Sequence, residues 1–276
     1  MKVYLETKDY SVTKESFQLL YDSSLDMLVT KPVPSDLNRY YQSEDYISHT
    51  DGADSIFEKL YQFVKRFTLK RKVAMLNKYI GDERKLLDYG AGTGDFLSVA
   101  KSKGFIVSGV EPNAKARGLA KQKGVDLKEN LNSLKPGSFD CITLWHVLEH
   151  VPDLEDTINR LVSLLKYNGV LIIAVPNFKS WDANHYKTYW AAFDVPRHLW
   201  HFSQSSIVQL FGKHNLALQK TKPMYFDSFY VSMLSERYKG VKNTLIRGFL
   251  KGLYSNMAAI GSKEWSSHIY ILKKAK

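Results

Sequence analysis

Between Leu86 and Leu97 the chain reads LLDYGAGTGDFL, a short apolar run, an acidic residue, three glycines at alternate positions and a helix start. Alternate glycines let the backbone turn sharply and let a ligand lie against bare main chain. The helix that follows presents unpaired N–H groups at its first turn. This combination belongs at the carboxyl end of the first strand of an open α/β sheet, where nucleotide-like ligands bind.

The spacing narrows the ligand. A dinucleotide fingerprint reads G-x-G-x-x-G, with a pyrophosphate on the helix N-terminus. Here Gly90, Gly92 and Gly94 read G-x-G-x-G, with Ala91 inside the turn and Asp88 two residues before Gly90. A carboxylate in that place repels a pyrophosphate and suits an ammonium or a sulfonium. S-adenosylmethionine (SAM) carries both and has no phosphate. Phe105 to Val110 reads as a second strand ending at Glu111-Pro112. An acidic residue about twenty positions past the first glycine binds ribose hydroxyls in the dinucleotide fold, and Glu111 can do the same here.

With those residues in order, the segment resembles motif I of class I SAM-dependent methyltransferases. The likeness extends to FDCITLWHVLEHVPD (139–153), similar to the fourth strand and following loop of the ubiquinone-biosynthesis-like, type 12/23 methyltransferases. GVLIIAVPN (169–177) and DVPRHLWHFS (194–203) resemble further segments of that group, so the resemblance spans about 55 to 222. It implies a Rossmann-like, doubly wound α/β sheet of seven strands whose last strand is antiparallel. It also implies SAM as cofactor and S-adenosylhomocysteine as product.

The pattern along the chain agrees with that architecture. Strands are predicted near 85–88, 105–110, 125–128, 139–145, 169–175, 215–222 and 266–273, with helices near 94–103, 113–123, 153–167 and 203–213 between them. A long helix over about 54–80, with Gly81 as its cap, precedes the first core strand. Residues 1–52 form a strand-rich extension or lid with short strands at 3–6, 17–21 and 27–30, and 53–276 form the methyltransferase domain. An insert at about 225–262 carries apolar residues at helical spacing. It reads as two amphipathic helices that cover the active site, meet a second copy, or touch a lipid surface. The oligomeric state is not legible.

Composition sets further bounds. The longest apolar run, Val170 to Val175, is far short of a membrane span, and no signal-like segment opens the chain. One cysteine, Cys141, excludes an internal disulfide, fits a reducing cytoplasm and falls in a buried strand as an inert thiol. Net charge is +11. Such a balance allows nucleic-acid or anionic-surface partners, but the cations are dispersed over helices and read mostly as solvated faces. The expected location is cytoplasmic, with peripheral membrane contact left open.

Methyl transfer is an in-line displacement, so positioning supplies much of the rate. A hydroxyl or amine acceptor must also lose a proton, usually to His, Asp or Glu. The loop after strand four offers His150 as a base, with Trp145 and His146 flanking the cofactor. The aromatic stretch from Trp181 to His201 offers His198 as a second base, and Tyr186, Trp190, Arg197 and His201 as acceptor-pocket residues. Asn130 and Leu131 follow strand three, where the adenine edge would lie, and Tyr41 and Tyr46 can close over the methionine end. No metal ligands are expected.

The acceptor is read as a small or lipid-like molecule, taking the methyl on O, N or C. RNA-methylating relatives often carry N-P-P-Y after strand four, and His146-Val147-Leu148-Glu149 departs from it, which disfavours nucleic acid. An RNA methyltransferase and a non-catalytic SAM-binding module remain the alternatives. His146 to His150 also matches H-x-x-E-H, a zinc-hydrolase pattern. That chemistry needs one continuous helix, which Pro152 interrupts.

Overall fold

The computed structural model describes residues 1–41, 56–81 and 84–274. A six-stranded sheet forms its centre, in the order β5-β4-β6-β7-β10-β9. These strands are β4 (Lys85–Tyr89), β5 (Ile106–Val110), β6 (Phe139–Trp145), β7 (Leu165–Pro176), β9 (Leu216–Pro223) and β10 (Ser267–Lys274). β4 pairs in parallel with both β5 and β6, and β10 runs antiparallel to β7 and β9, as expected for the last strand. The chain leaves β4 on one side for β5 and returns to its other side for β6. That reversal opens a crevice beyond the carboxyl ends of β4 and β6.

The central strands are apolar because both faces are covered. Leu87, Ile142 and Ile173 face one core with Ile158 and Phe211, and Leu86, Cys141 and Ile172 face another with Phe96 and Ala120. The covering helices include α1 (Ile56–Leu76), α2 (Asp95–Ser102), α3 (Ala114–Gln122), α4 (Leu154–Leu164) and α6 (Gln204–Gly212). Their starts follow side-chain chemistry. Asn113 accepts from the Ala116 amide, Asp153 from the Asp156 amide, and Ser203 and Ser206 form a reciprocal capping box.

Three expectations change. The third core strand is reduced to a single parallel bridge, Val110 to Lys128, so the seventh strand is an edge contact and not a ladder. The first helix ends at Leu76, and the amides of Lys78, Tyr79 and Ile80 bond back to Met75 and Leu76, so Gly81 caps nothing. β7 begins at Leu165, inside the predicted helix, because Leu165 pairs with Phe139.

The N-terminal strands β1 (Lys2–Lys8), β2 (Ser16–Asp22) and β3 (Met27–Lys31) form an antiparallel sheet. Its fourth strand is β8 (Trp200–His201), contributed by the aromatic stretch. The extension is thereby knit into the body of the protein. Phe17, Leu19, Leu28 and Tyr40 share a third core with α5 (Trp181–Tyr186), Trp190 and Phe193. The insert is two helices, α7 (Asp227–Tyr238) and α8 (Thr244–Ser262), packed together.

Candidate active site

The glycine turn leaves β4 at the centre of the sheet. The amides of Gly90 and Ala91 both bond the Val110 carbonyl of β5, 2.8 and 2.9 Å away. Gly90 has φ +76, and a Cβ there would lie 2.4 Å from Val147 Cγ2, so only glycine fits between β4 and the loop after β6. Gly92 differs: a Cβ would meet nothing within 4 Å. The turn therefore presents bare main chain to open space at Gly92.

Glu111 sits where β5 ends and is half-buried. Its carboxylate accepts from the Gly92 amide at 2.9 Å and from the Asn113 amide at 2.9 Å. A carboxylate has about four lone-pair sites, so two remain for ligand hydroxyls. Trp145, the last residue of β6, packs edge-on against Phe96 and beneath the Lys72 ammonium. Its buried indole N–H has no partner. An open main-chain face, spare carboxylate lone pairs and an orphan donor together fit the adenosyl part of SAM.

Asp88 is buried, and Thr143 Oγ1 donates to it at 2.6 Å. Burial dominates and raises its pKa to about 7, against the lowering effects of Thr143 and Lys72. A cation placed beside it would favour its ionised form. Pro112 is exposed at the start of the next turn. Leu131 points into the core and Asn130 only closes a turn onto the Asn132 amide, so the structure gives neither an evident ligand-facing position.

A cavity of about 830 Å³ opens on the other side of the strand-four loop. Its floor includes His146, Glu149, Pro176 and Ser267 at the edge of the sheet. One wall is the extension (Lys8, Tyr10, Tyr40), another the aromatic stretch (Tyr189, Asp194, His198), and α7 supplies Tyr230, Val231 and Tyr238. Tyr10 stacks on Tyr238 with centroids 5.0 Å apart and tilts against Tyr189 at 5.3 Å, joining all three walls.

Two predicted histidines come together beside this cavity, which His198 lines. The His150 and His198 rings meet edge to face, centroids 4.5 Å apart. The His198 Nδ1 lies 2.9 Å from the Ala192 carbonyl, which can only accept, so Nδ1 carries the hydrogen and Nε2 keeps a lone pair. His150 Nδ1 faces the Arg197 carbonyl at 3.1 Å and Tyr41 Oη at 3.2 Å. Burial, then the neighbouring His198, lowers the His150 pKa to about 4, so the ring is neutral at neutral pH.

Glu149 completes the group; the sequence marked it only within the H-x-x-E-H pattern, not as a partner of His198. It is buried, and no hydrogen bond reaches either carboxylate oxygen, although His146 Nδ1 stands 3.3 Å away at ion-pair distance. Ligand atoms of Glu149, His150 and His198 all lie within 4.8 Å of one another, a set able to hold a metal ion. That set combines neighbours in sequence with a residue about fifty positions on, so no local pattern announces it. The H-x-x-E-H reading places its histidines differently: Leu148–His150 is a single 3-10 turn and His146 is left-handed with φ +57.

His146, expected to flank the cofactor, is engaged with two carboxylates. Its Nε2 lies 3.0 Å from Asp227 Oδ2 at the start of α7. Burial alone would lower its pKa, but Asp227 and then Glu149 raise it to about 10. It is a cation that fastens the strand-four loop to the insert. Asp227, the second half of that clamp, lay in a region where the sequence pattern was weakest.

Four predicted acceptor residues are engaged in internal hydrogen bonds, and of these Arg197 also lines the cavity. Arg197 is buried and spends its donors on Asp194 (2.6 and 3.0 Å), Asp9 (3.1 Å), Ser11 and the Tyr40 carbonyl (3.0 Å). Four of its five N–H groups are thereby engaged within the protein. Tyr186 donates to Glu236 at 3.0 Å, and Trp190 donates to Asp182 at 2.8 Å, which also takes Ser255 and Ser266. His201 faces Thr30 Oγ1 at 2.9 Å, in the β3–β8 seam. Within the aromatic stretch, Tyr186 and Trp190 fill the third core, whereas Tyr189 and His198 line the cavity. Tyr46 lies outside the described residues, while Tyr41 stands against His150 as noted. Cys141 is buried, with its pKa pushed up mainly by burial.

Comparison with known proteins agrees with this geometry. A family profile described as "Methyltransferase domain" matches residues 57–221. The ubiquinone biosynthesis O-methyltransferase of Histophilus somni (strain 2336) is 35% identical over 115 residues, 36% of this chain and 48% of that protein. The enzyme of the same name from Haemophilus ducreyi is 31% identical over 108 residues, 34% and 46% of the two chains. The chain thus spans about half the length of the curated relatives it matches. The magnesium protoporphyrin IX methyltransferase of Synechocystis PCC 6803, solved with bound S-adenosylhomocysteine, superposes with a TM-score of 0.54 at 17% identity, covering 86% of this chain and 92% of that one. The geranyl diphosphate C-methyltransferase of Streptomyces coelicolor A3(2) gives 0.56 at 14% identity, covering 83% and 84%. The chain belongs to the methyltransferase domain family and has the class I fold of SAM-dependent methyltransferases.

Proposed function

We propose that this protein transfers the methyl group of SAM to a hydroxyl oxygen of a small or amphipathic, ring-bearing acceptor. The observation that carries the reading is the His150–His198–Glu149 group on the cavity side of the strand-four loop. When bound, the cofactor supplies a methyl carbon activated by its sulfonium. Glu111 and the Gly92 main chain hold the ribose end, and Asp88 favours the cationic end.

The acceptor oxygen becomes a competent nucleophile only as it loses its proton. His198, with Nδ1–H fixed on the Ala192 carbonyl, receives that proton at Nε2. Asp194, 3.9 Å from the same nitrogen, favours the resulting cation. The same trio suits a divalent cation, which would lower the hydroxyl pKa instead; the unpartnered Glu149 oxygens support this second use. Tyrosines on three walls favour stacking on a ring, and Lys8 and Arg237 at the cavity favour an acidic substituent. A cavity of about 830 Å³ is of the size that small ligands occupy, which supports a small acceptor over a nucleic acid.

Calorimetric titration with S-adenosylhomocysteine tests the cofactor half. No binding at millimolar ligand, from folded protein, overturns it. Transfer of labelled methyl to hydroxylated aromatic acids of graded tail length tests the acceptor half. Binding without transfer to any hydroxyl, amine or carbon acceptor would instead make the protein a SAM-binding module.

A further inference from the structure

Helix α8 is built inside out. Its small residues Gly248, Gly252, Ser255 and Ala259 are the buried ones. Spaced four, three and four apart, they form one stripe. A Cβ on Gly248 would lie 2.5 Å from the Met233 Cα, and one on Gly252 2.7 Å from the Phe229 Cα, so this stripe is pressed against the α7 backbone. The large apolar residues take the opposite side. Ile246, Phe249, Leu250, Leu253, Met257 and Ile260 are 42–65% exposed. A helix of a globular protein normally turns such a stripe to the core. Here it faces outward along 19 residues, about 28 Å at 1.5 Å per residue.

The apolar ridge continues off the helix. Asn256 donates to the Tyr225 carbonyl at 2.9 Å, and the next ring, Phe226, meets Phe67 of α1 edge-on at 6.4 Å. Arg71 stands over Phe67 at 5.4 Å. Beside it, Lys78, Lys220 and Arg71 add their repulsion to the burial that lowers the Lys222 pKa.

Charge decides what covers the ridge. From Val241 to Lys263 there is no acidic residue and there are four cations, Lys242, Arg247, Lys251 and Lys263. Arg247 also bonds Glu236 of α7 at 3.0 Å. A second copy docked ridge to ridge would bring like charges together, a repulsive arrangement. An anionic lipid surface meets both demands at once, with headgroup phosphates for the cations and the acyl boundary for the apolar side chains. Among the described residues no helix is long and apolar enough to cross a membrane, so the contact is one of lying on the surface. We propose that the α8 ridge docks the protein on an anionic phospholipid bilayer. This places the cavity one helix away from the lipid, because α7 lies beneath α8 and lines the cavity with its other side.

Flotation of the full chain with vesicles tests it, comparing phosphatidylcholine alone with vesicles containing about 30 mol% phosphatidylglycerol. The expected result is about tenfold or greater preference for the anionic vesicles, weakened by salt. The Ile246→Glu/Leu250→Glu variant, with unchanged circular dichroism, should lose on the order of hundredfold in partition. Lys242→Gln/Lys251→Gln should lose about tenfold and remains informative if the glutamate variant fails to fold. Equal or absent binding of the wild type to both vesicles overturns the proposal, as does wild-type partition by the folded glutamate variant. A wild-type dimer in light scattering that the glutamate variant dissociates, with no vesicle binding, assigns the ridge to a second copy and also overturns it.

Discussion

His146 Nε2 and Asp227 Oδ2 lie 3.0 Å apart, and this contact joins the loop after the fourth core strand to the first residue of the insert. The cavity of about 830 Å³ has a floor on one side of that contact and a wall on the other. The pair also makes the union of the two elements sensitive to pH.

The sign follows from the histidine. Its pKa is raised from 6.5 to about 10 in the folded protein. Its contribution is complete below about 6.5 and is lost as pH rises through 10. Melting temperature should therefore fall between pH 7 and 10, and Asp227→Asn should flatten that fall. Differential scanning calorimetry across this range decides it; an unchanged slope in the variant would remove the clamp.

Asp88 acts in a different window. Its folded pKa of about 7 exceeds its ordinary 3.8, so its protonated form stabilises the unliganded fold and this contribution fades from about pH 4 to pH 7. A cationic ligand needs the ionised form. Affinity for SAM should rise with pH up to about 7 and then level off, and Asp88→Asn should remove the dependence. Titrations at pH 5.5, 7 and 8.5 read this directly.

Glu111→Ala should weaken S-adenosylhomocysteine by about 1–3 kcal/mol, roughly 5- to 150-fold, through loss of ribose hydrogen bonds and release of the Gly92 amide. Calorimetry that shows wild-type affinity would place Glu111 outside the binding site.

His198→Asn should lower kcat by about 10²–10⁴-fold with little change in cofactor affinity, the range for losing a proton acceptor. Chelation separates the two uses of the trio. If EDTA abolishes turnover and a divalent cation restores it, Glu149 and the histidines act as ligands; if EDTA has no effect, His198 acts as a base.

Arg197→Ala should lower unfolding free energy by about 3–5 kcal/mol, because it strands Asp9 and Asp194 without their cation. Cofactor affinity should stay near wild type. A stable variant with lost acceptor turnover would return Arg197 to substrate binding.

The cofactor half of the site was legible because it is local. A strand, a turn and a helix start fall together between Leu86 and Leu97, and their spacing is dictated by main-chain geometry. The Glu111 contact to Gly92 spans only 19 positions. The acceptor half was legible only in part. His150 and His198 were singled out, and the structure sets their rings edge to face, but the neighbouring Glu149 and the clamp residue Asp227 depend on contacts that sequence does not align. Tyr186, Trp190, Arg197 and His201 show the converse. Buried carboxylates at 182 and 236, with the partly exposed one at 194, hold much of that polar and aromatic cluster inward, and no periodicity separates an aromatic that lines a pocket from one that fills a core.

The two-residue strand β8 has a consequence for the order of assembly. Thr30 bonds the His198 carbonyl across 168 positions of chain. At about 5–20 residues per second of synthesis, the first three strands wait roughly 10–30 s before the segment that completes their sheet exists. Phe17, Leu19 and Leu28 lack their covering residues throughout that interval. His198 thus reaches its place only when two segments 168 positions apart in the chain meet. A chaperone that shields the N-terminal hairpin would protect the acceptor site before any of its reactive groups has been translated.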